Sequence, residues 1–271
     1  MANWQQNRAE RFSRLVNLHN LPDSLPPDRG VAVNWLDGFT PLLQTGWNPF
    51  FENVWYQDHG GIGEWGFRRE RQPLSEQLAV KIYVSSLGAK WAREYFQRQA
   101  MSSTAPELPY EWNVNGEALT LFVSALAQDG QTRNESLLRL YLNVVFEIRT
   151  YDSEFSTIQI ADGLLFLCIG HSDDFLPEKQ PVLSVPALPE TSLSGETIQI
   201  GLPSAPDPFG NFRGTKHQIQ VHAQNPAAFT GFRGSQALFL LEQPGDGEIR
   251  VQAIDRQTLL SREVGLNVQV R

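Results

Sequence analysis

The chain has 271 residues, of which 41% are hydrophobic and 19% are charged, a balance typical of a folded globular protein rather than a disordered one. The formal net charge of −8 argues against a broad nucleic-acid-binding surface, because such a surface needs clustered Lys and Arg. The single cysteine, Cys168, excludes an internal disulfide framework, and its apolar neighbours predict a buried thiol.

The N-terminal segment predicts an amphipathic helix over residues 4–19, with Asn3 as its N-cap. Its apolar face would consist of Trp4, Phe12, Leu15 and Val16. We see no apolar run of signal-peptide length here, and no stretch approaches the roughly 18 apolar residues of a membrane span. The sequence therefore predicts a cytoplasmic or intracellularly assembled protein.

The next 150 residues mix strand-like and helix-like patterns. Strands are predicted for "VAVNWL", "FFENVWYQ", "LAVKIYV" and "ALTLFVSAL", and a helix for "GAKWAREYFQRQA". The stretch "NESLLRLYLNVVFEI" is compatible with a helix that Asn134 caps and that turns into a strand. In "TIQIADGLLFLCIG", the pair Asp162-Gly163 predicts the turn of a hairpin, since both residue types tolerate positive φ.

Residues 176–192 carry four prolines and predict a linker or an extended edge connection. After them, the strand-length runs "ETIQIGL", "KHQIQVHA", "QALFLLE", "EIRVQAI" and "VGLNVQV" are separated by turn residues. In "KHQIQVHA" and "VGLNVQV", apolar and polar residues alternate with a period of two, as in half-buried strands. "PGDG" at 244–247 predicts a hairpin turn. We expect an α+β N-terminal domain (1–175), a linker (176–192) and a small all-β, immunoglobulin-like antiparallel sandwich (193–271).

The segment "GIGEWG" at 61–66 matches the G-x-G-x-x-G pattern of nucleotide-binding loops, which makes Gly61, Gly63 and Gly66 candidate cofactor-binding residues. A dinucleotide-binding loop needs an apolar strand before the glycines and a helix after them. Here the polar "YQDHG" precedes the glycines, and "FRRERQ" runs into Pro73. The dinucleotide interpretation is therefore not favoured.

The same segment resembles the glycine-rich loop of protein kinases, because Lys81 in "LAVKIYV" follows it as the strand lysine does in that family. The chain departs from the kinase pattern at Arg68, where a valine is expected, and after Asp173, where no asparagine follows at the metal-ligand position. We therefore expect no bound cofactor.

A structural hairpin explains the segment more simply, with "DHGGIG" as the bend between two strands. Alternation in the second strand places aromatic and arginine side chains on one face, and such residues are enriched at protein interfaces. The predicted interaction residues are Trp55, Trp65, Phe67, Arg69 and Arg71, together with Arg213 and Arg233 from the repeated Phe-Arg-Gly.

The leading functional hypothesis is a non-enzymatic structural or adaptor subunit that contacts protein partners or copies of itself within a larger assembly, such as a virion, tail-like or surface complex. A second hypothesis is an enzyme whose hydrolytic or nucleotide-dependent site uses Asp58, His59 and Glu64. A third is a carbohydrate-binding module with exposed tryptophans. The five histidines lack metal-binding spacings, so no metal site is predicted.

Overall fold

The structure, a computed structural model, describes residues 28–71, 74–102, 108–110, 118–126, 133–153, 156–187, 192–206 and 215–271. The chain is mostly β, with several antiparallel sheets and few helices. The helix predicted for residues 4–19 lies outside the described residues. Within the described ranges, no helix combines the length and the apolar character needed to cross a membrane.

Nineteen elements follow one another in the described part of the chain. The helices are α1 (Trp35–Gln44), α2 (Ala89–Ser102), α3 (Thr157–Ile169) and α4 (Leu176–Lys179). The strands are β1 (Arg29–Gly30), β2 (Asn48–Gln57), β3 (Gly60–Arg71), β4 (Leu74–Ser85), β5 (Leu108–Tyr110), β6 (Ala118–Leu126), β7 (Arg133–Tyr141), β8 (Val144–Ser153), β9 (Asp174–Phe175), β10 (Thr197–Gly201), β11 (His217–Ala223), β12 (Ala227–Phe232), β13 (Gln236–Leu241), β14 (Gly245–Asp255) and β15 (Ser261–Val270).

A seven-stranded antiparallel sheet in the order β2-β3-β4-β8-β7-β6-β5 forms the centre of the N-terminal part. Helices α1 and α3 cover one face through an apolar cluster that includes Trp35, Phe39 and Leu164. Helix α2 covers part of the other face through Tyr95 and Phe96. The predicted strands in "FFENVWYQ", "LAVKIYV" and "ALTLFVSAL" are confirmed, as is the helix in "GAKWAREYFQRQA", whereas "VAVNWL" forms no strand and its tryptophan begins α1.

The hairpin predicted at Asp162-Gly163 is wrong, because these residues lie inside α3. The N-terminus of α3 is held by the buried carboxylate of Glu135 in β7. One oxygen of this carboxylate accepts hydrogen bonds from the Thr157 backbone N–H at 2.8 Å and from the Ser156 hydroxyl at 3.0 Å. Asp162 in turn pairs with a buried Arg139 of β7. Contacts with a distant strand therefore stabilise a helix where local turn chemistry predicted a hairpin.

The helix predicted from Asn134 is also wrong, because β7 and β8 form a hairpin there. Leu142 adopts a positive φ of 50° in its turn, and the next residue, Asn143, is fully buried. The Asn143 side chain accepts a hydrogen bond from the Val31 N–H at 2.7 Å and donates one to the Ser85 carbonyl oxygen at 3.0 Å. These bonds tie the turn to the segment before α1 and to the end of β4.

The C-terminal part contains two three-stranded antiparallel sheets, β10-β13-β12 and β11-β14-β15. Both sheets contribute to one apolar cluster that includes Ile200, Phe239 and Val251, an arrangement that fits a β-sandwich. The hairpin predicted at 244–247 is wrong. Gly245 begins β14, which pairs with β11 and β15 rather than with β13, so "PGDG" connects one sheet to the other.

The turn between β14 and β15 inserts into the core beside the seven-stranded sheet. Leu259 and Leu260 are fully buried in the same cluster as the side chains under α1 and α3. Trp35 donates its backbone N–H to the Gln257 carbonyl oxygen and its indole N–H to the Thr258 carbonyl oxygen, both at 3.0 Å. The two parts of the chain are therefore joined by packing as well as by sequence.

Candidate functional site

The predicted hairpin between β2 and β3 is present, but its turn is shorter than expected. It consists of Asp58 and His59, whose φ angles of 52° and 62° are the positive pair that a two-residue hairpin turn requires. The glycines predicted to form the bend lie within β3 instead. The Asp58 carbonyl oxygen accepts a hydrogen bond from the Tyr83 hydroxyl at 2.7 Å, which anchors the turn to β4.

The glycines of the G-x-G-x-x-G match are packing positions. A Cβ on Gly61 would lie 2.1 Å from the Leu259 carbonyl oxygen, and one on Gly66 would lie 2.8 Å from the Phe50 ring. Gly63 lies beneath the Trp65 ring. Since β3 pairs with β2 on one side and β4 on the other, its backbone N–H groups are directed into the sheet ladders. A phosphate cradle needs N–H groups that are free to point at the anion, so this strand lacks the geometry of one.

Trp65 and Phe67 share a face, as predicted, but that face is buried. The two side chains are only 3% and 2% exposed, and both pack against Phe39 of α1. The expectation that they form a surface is therefore wrong, since α1 already covers them. Arg69 lies over the Trp47 ring and pairs with the buried Glu76, while Arg71 pairs with Leu74 in the sheet register.

The opposite face of the same strands is mostly exposed, and three rows of residues cross it from β2 to β8. The rows are Asn48–Arg68–Gln77–Tyr151, Phe51–Gly66–Ala79–Arg149 and Asn53–Glu64–Lys81–Glu147. We call these residues, together with the neighbouring Phe50, the open sheet face. The next row, Trp55–Ile62–Tyr83–Val145, is apolar and lies at the α2 side. The open sheet face therefore begins where the cover of α2 ends.

Charges on the open sheet face are paired with one another and with aromatic rings. Lys81 lies 3.8 Å from the carboxylate of Glu147 and 5.7 Å from the centre of the Trp55 ring. Arg149 pairs with the same Glu147, and its side chain is 52% exposed. These pairs leave the surface nearly neutral in a chain whose net charge is −8.

Large aromatic side chains are exposed at the two ends of the open sheet face. Phe50 is 61% exposed at the edge strand, with the Arg68 guanidinium 5.6 Å from the centre of its ring, and Tyr151 is 44% exposed on β8. Arginine and aromatic residues are the types enriched in interface cores and hot spots. Phe50, Arg68, Arg149 and Tyr151 were not singled out from the sequence. The sequence indicated which face Arg68 occupies, because Arg68 alternates with Trp65 and Phe67 in β3. Arg149 and Tyr151 belong to the open sheet face only because their strand pairs with β4.

The three predicted catalytic residues, Asp58, His59 and Glu64, do not lie together in one site. The Asp58 carboxylate lies 3.0 Å from the Arg98 guanidinium, and the His59 ring packs on Trp91 with 4.2 Å between ring centres. Glu64 lies five residues after His59, or roughly 17 Å at the rise of an extended strand, and pairs with Lys81 in the register. An acid–base pair would need its groups within hydrogen-bond reach of one substrate.

A cleft of about 290 Å³ lies between the seven-stranded sheet and β15. Its lining is mostly polar and consists of Tyr56, His59, Ser86, Leu87, Gln180, Ser261, Arg262 and Glu263. Burial, and to a lesser extent the charges of Glu263 and Asp58, raise the pKa of Tyr56 to about 12. Tyr56 therefore remains a neutral hydrogen-bonding group at physiological pH. Of the predicted catalytic residues, His59 is part of this lining.

Arg233 is exposed beside the turn between β12 and β13, and Arg213 lies outside the described residues. Within the described part of the chain, no three His, Cys, Asp or Glu side chains are grouped so that they could hold a metal ion. No protein-family model matches the chain, and no curated protein matches it significantly.

Proposed function

We propose that the chain is a non-enzymatic structural or adaptor subunit, and that it contacts protein partners or further copies of itself through the open sheet face. The observation that carries this proposal is a sheet surface that no described helix or strand covers and that combines exposed phenylalanine, tyrosine and arginine. In the proposed architecture, an α+β domain presents this surface and an immunoglobulin-like sandwich supports it from the side. Virion, tail-like and surface assemblies are the settings we propose for such a subunit.

The charge pattern supports a protein partner over a nucleic acid or a small anion. Lys81 and Arg149 both lie beside Glu147, so the surface offers no concentrated positive potential. Two copies of a chain with net charge −8 repel each other least where a local surface is neutral, which favours this face for self-association.

The test compares the wild type with a double variant, Phe50→Ser with Arg149→Glu. Light scattering coupled to size exclusion gives the native mass, and affinity purification gives any stoichiometric partner. Removing a hot-spot aromatic typically costs about 2 kcal/mol of binding, or roughly thirtyfold in affinity, so the double variant should lose assembly at micromolar concentration. Val182→Ser is the matched control, because Val182 is 71% exposed in the connection between α4 and β10.

Two results would contradict the proposal. One is a wild type that stays monomeric and copurifies with no stoichiometric partner. The other is equal loss of assembly in the double variant and in Val182→Ser. A melting temperature that rises with Mg-ATP in a monomeric protein would instead favour the nucleotide-dependent alternative.

The carbohydrate-binding alternative is weakened by the tryptophans themselves. Trp65 is 3% exposed beneath α1, so it offers no ring face to a sugar. Trp55 is half-buried, and the Lys81 ammonium group lies over its ring, so this ring face is not free to stack on a sugar.

A further inference from the structure

The cleft between the seven-stranded sheet and β15 gathers polar side chains from both parts of the chain. Tyr56 lies near the end of β2 and His59 in the turn after it, whereas Ser261 and Glu263 belong to β15. Junctions between packed units are common places for small-ligand sites. The cleft volume of about 290 Å³ is close to the lower end of the roughly 300–1,000 Å³ found for such sites, so the cleft has room for one small molecule.

The two most buried residues of the cleft lining, Ser86 and Ser261, leave one hydroxyl hydrogen without a partner. They are only 4% and 3% exposed. Ser86 Oγ accepts a hydrogen bond from the Ser261 N–H at 2.6 Å and lies 3.2 Å from Ser261 Oγ. Only one of the two hydroxyl hydrogens can lie between these oxygens, and among the described residues the other has no acceptor. A bound molecule with an acceptor oxygen would satisfy this buried donor.

The Tyr56 hydroxyl is a second hydrogen-bonding group in the cleft lining. Its side chain is half-buried, and the hydroxyl forms no hydrogen bond within the part of the chain that the structure describes. Because it stays protonated at physiological pH, it can both donate and accept. Val54 and Tyr56 both contact the apolar cluster under α1, so Tyr56 lies on the face of β2 opposite to the open sheet face.

Two side chains of opposite charge, Arg262 and Glu263, also line the cleft. The Arg262 guanidinium donates to the Gln180 side-chain oxygen at 3.3 Å, and the Gln180 amide nitrogen donates to the Ser86 carbonyl oxygen at 2.8 Å. Glu263 accepts a hydrogen bond from Gln252. Within the described ranges neither charge forms an ion pair, so the guanidinium keeps further N–H donors and the carboxylate a further acceptor oxygen. The lining therefore offers donors and acceptors with no excess of either charge.

We propose that this cleft binds a neutral polyhydroxy compound of the size of one sugar ring. Each hydroxyl of such a compound donates one hydrogen bond and can accept others. It can therefore accept from the Ser86–Ser261 pair, from Tyr56 or from Arg262, and it can donate to Glu263. The cleft lies apart from the open sheet face, so this inference does not depend on the proposed function, and the failure of one leaves the other intact.

The charges of the cleft lining disfavour an anion, and its composition disfavours an apolar ligand. A phosphate or carboxylate beside Arg262 would also face Glu263, and the negative charges of Glu263 and Asp58 both act on Tyr56. In the described lining, Leu87 is the one aliphatic side chain, so an apolar molecule would leave the surrounding polar groups without partners. The C–H face of a sugar ring can cover Leu87, which is 50% exposed, while its hydroxyls meet the polar groups.

Saturation-transfer NMR on the full chain tests the proposal with neutral sugars and their acidic counterparts. The probes are D-glucose, D-galactose and D-mannose, each titrated beside the uronate of the same sugar, which carries a carboxylate on the same ring. We expect at least one neutral sugar to receive saturation from the protein and to bind more tightly than its uronate. Absence of binding by all three neutral sugars would overturn the proposal, as would tighter binding of the uronates, which would indicate an anion site.

Two conservative variants locate the bound sugar in the cleft. Tyr56→Phe removes only the hydroxyl and should weaken binding about fivefold, whereas Glu263→Gln should weaken it about tenfold, because hydrogen bonds to charged groups are stronger. Glu263 is exposed, so an unchanged melting temperature should show that Glu263→Gln is folded. The matched control is Glu248→Gln, which changes an exposed glutamate of the neighbouring strand β14. Equal affinities in Glu263→Gln and Glu248→Gln would place the sugar elsewhere and overturn the proposal.

Discussion

The ion pair between Arg139 and Asp162 makes a quantitative prediction about stability. The Arg139 side chain is fully buried and donates to the Thr120 hydroxyl at 2.8 Å and to the Asp162 carboxylate at 2.7 Å. The Asp162 side chain is 35% exposed at the surface of α3. Removing the partner of a fully buried charge typically costs about 3–5 kcal/mol. We expect Asp162→Ala to cost about 3 kcal/mol, at the lower end of that range, because water can reach the position of the lost carboxylate.

Urea unfolding followed by tryptophan fluorescence would measure this loss. With a slope of about 3 kcal/mol/M, the unfolding midpoint should fall by about 1 M. Arg139→Met removes the buried charge itself, so adding it to Asp162→Ala should recover part of the lost stability in a double-mutant cycle. Glu248→Ala, which removes one partner of a solvent-exposed pair with Arg250, should leave the midpoint unchanged. The reasoning fails if Asp162→Ala behaves like Glu248→Ala, or if the double variant is no more stable than Asp162→Ala.

Three further changes test other parts of the structure. Glu135→Gln should lower stability by about 1–2 kcal/mol in urea unfolding, because the charged acceptor at the N-terminus of α3 becomes neutral while Thr157 still needs a partner. Tyr56 has its pKa raised to about 12, mainly by burial, so its stabilising contribution is complete below pH 10 and is lost between pH 10 and 12. Since Tyr56 is partly exposed, the loss should be about 1 kcal/mol, and Tyr56→Phe should abolish it in alkaline unfolding. Burial lowers the pKa of His217, partly offset by Asp255, so stability should fall as the pH drops below about 6.5, and His217→Phe should weaken that dependence in thermal unfolding.

The periodicity of the sequence predicted the strands whose faces differ most in polarity. In β11 and β15, apolar and polar residues alternate along a strand that is buried on one side, and both strands were predicted. The structure of residues 157–169 was harder to predict, because apolar and polar residues alternate in "TIQI" and Asp162-Gly163 is a good turn pair. What makes this segment a helix is its contact with Glu135 and Arg139, which are more than 20 residues away in sequence. Local patterns carry no information about such partners.

The candidate site could be predicted only in part, for a related reason. Alternation correctly separated Trp65 and Phe67 from Glu64 and Arg68. The alternation could not indicate which face is buried, because both faces carry large side chains. The packing of α1 determines which face is buried. The row Glu64–Lys81–Glu147 joins three strands, so it depends on strand pairing rather than on sequence distance.

Under the proposed function, strand β3 packs the core with one face and contacts a partner with part of the other. Gly61 and Trp65 point towards Leu259 and α1, so a larger side chain at Gly61 would collide with the backbone of the β14–β15 turn. Glu64 and Arg68 point to the open sheet face, where neighbouring side chains are exposed and a substitution leaves the core intact. Changes at Gly61, Trp65 or Phe67 should lower the free energy of unfolding, whereas under the proposed function changes at Glu64 or Arg68 should act on association. Because the two faces share one backbone, the packing of the glycines fixes the strand that presents the proposed contact surface.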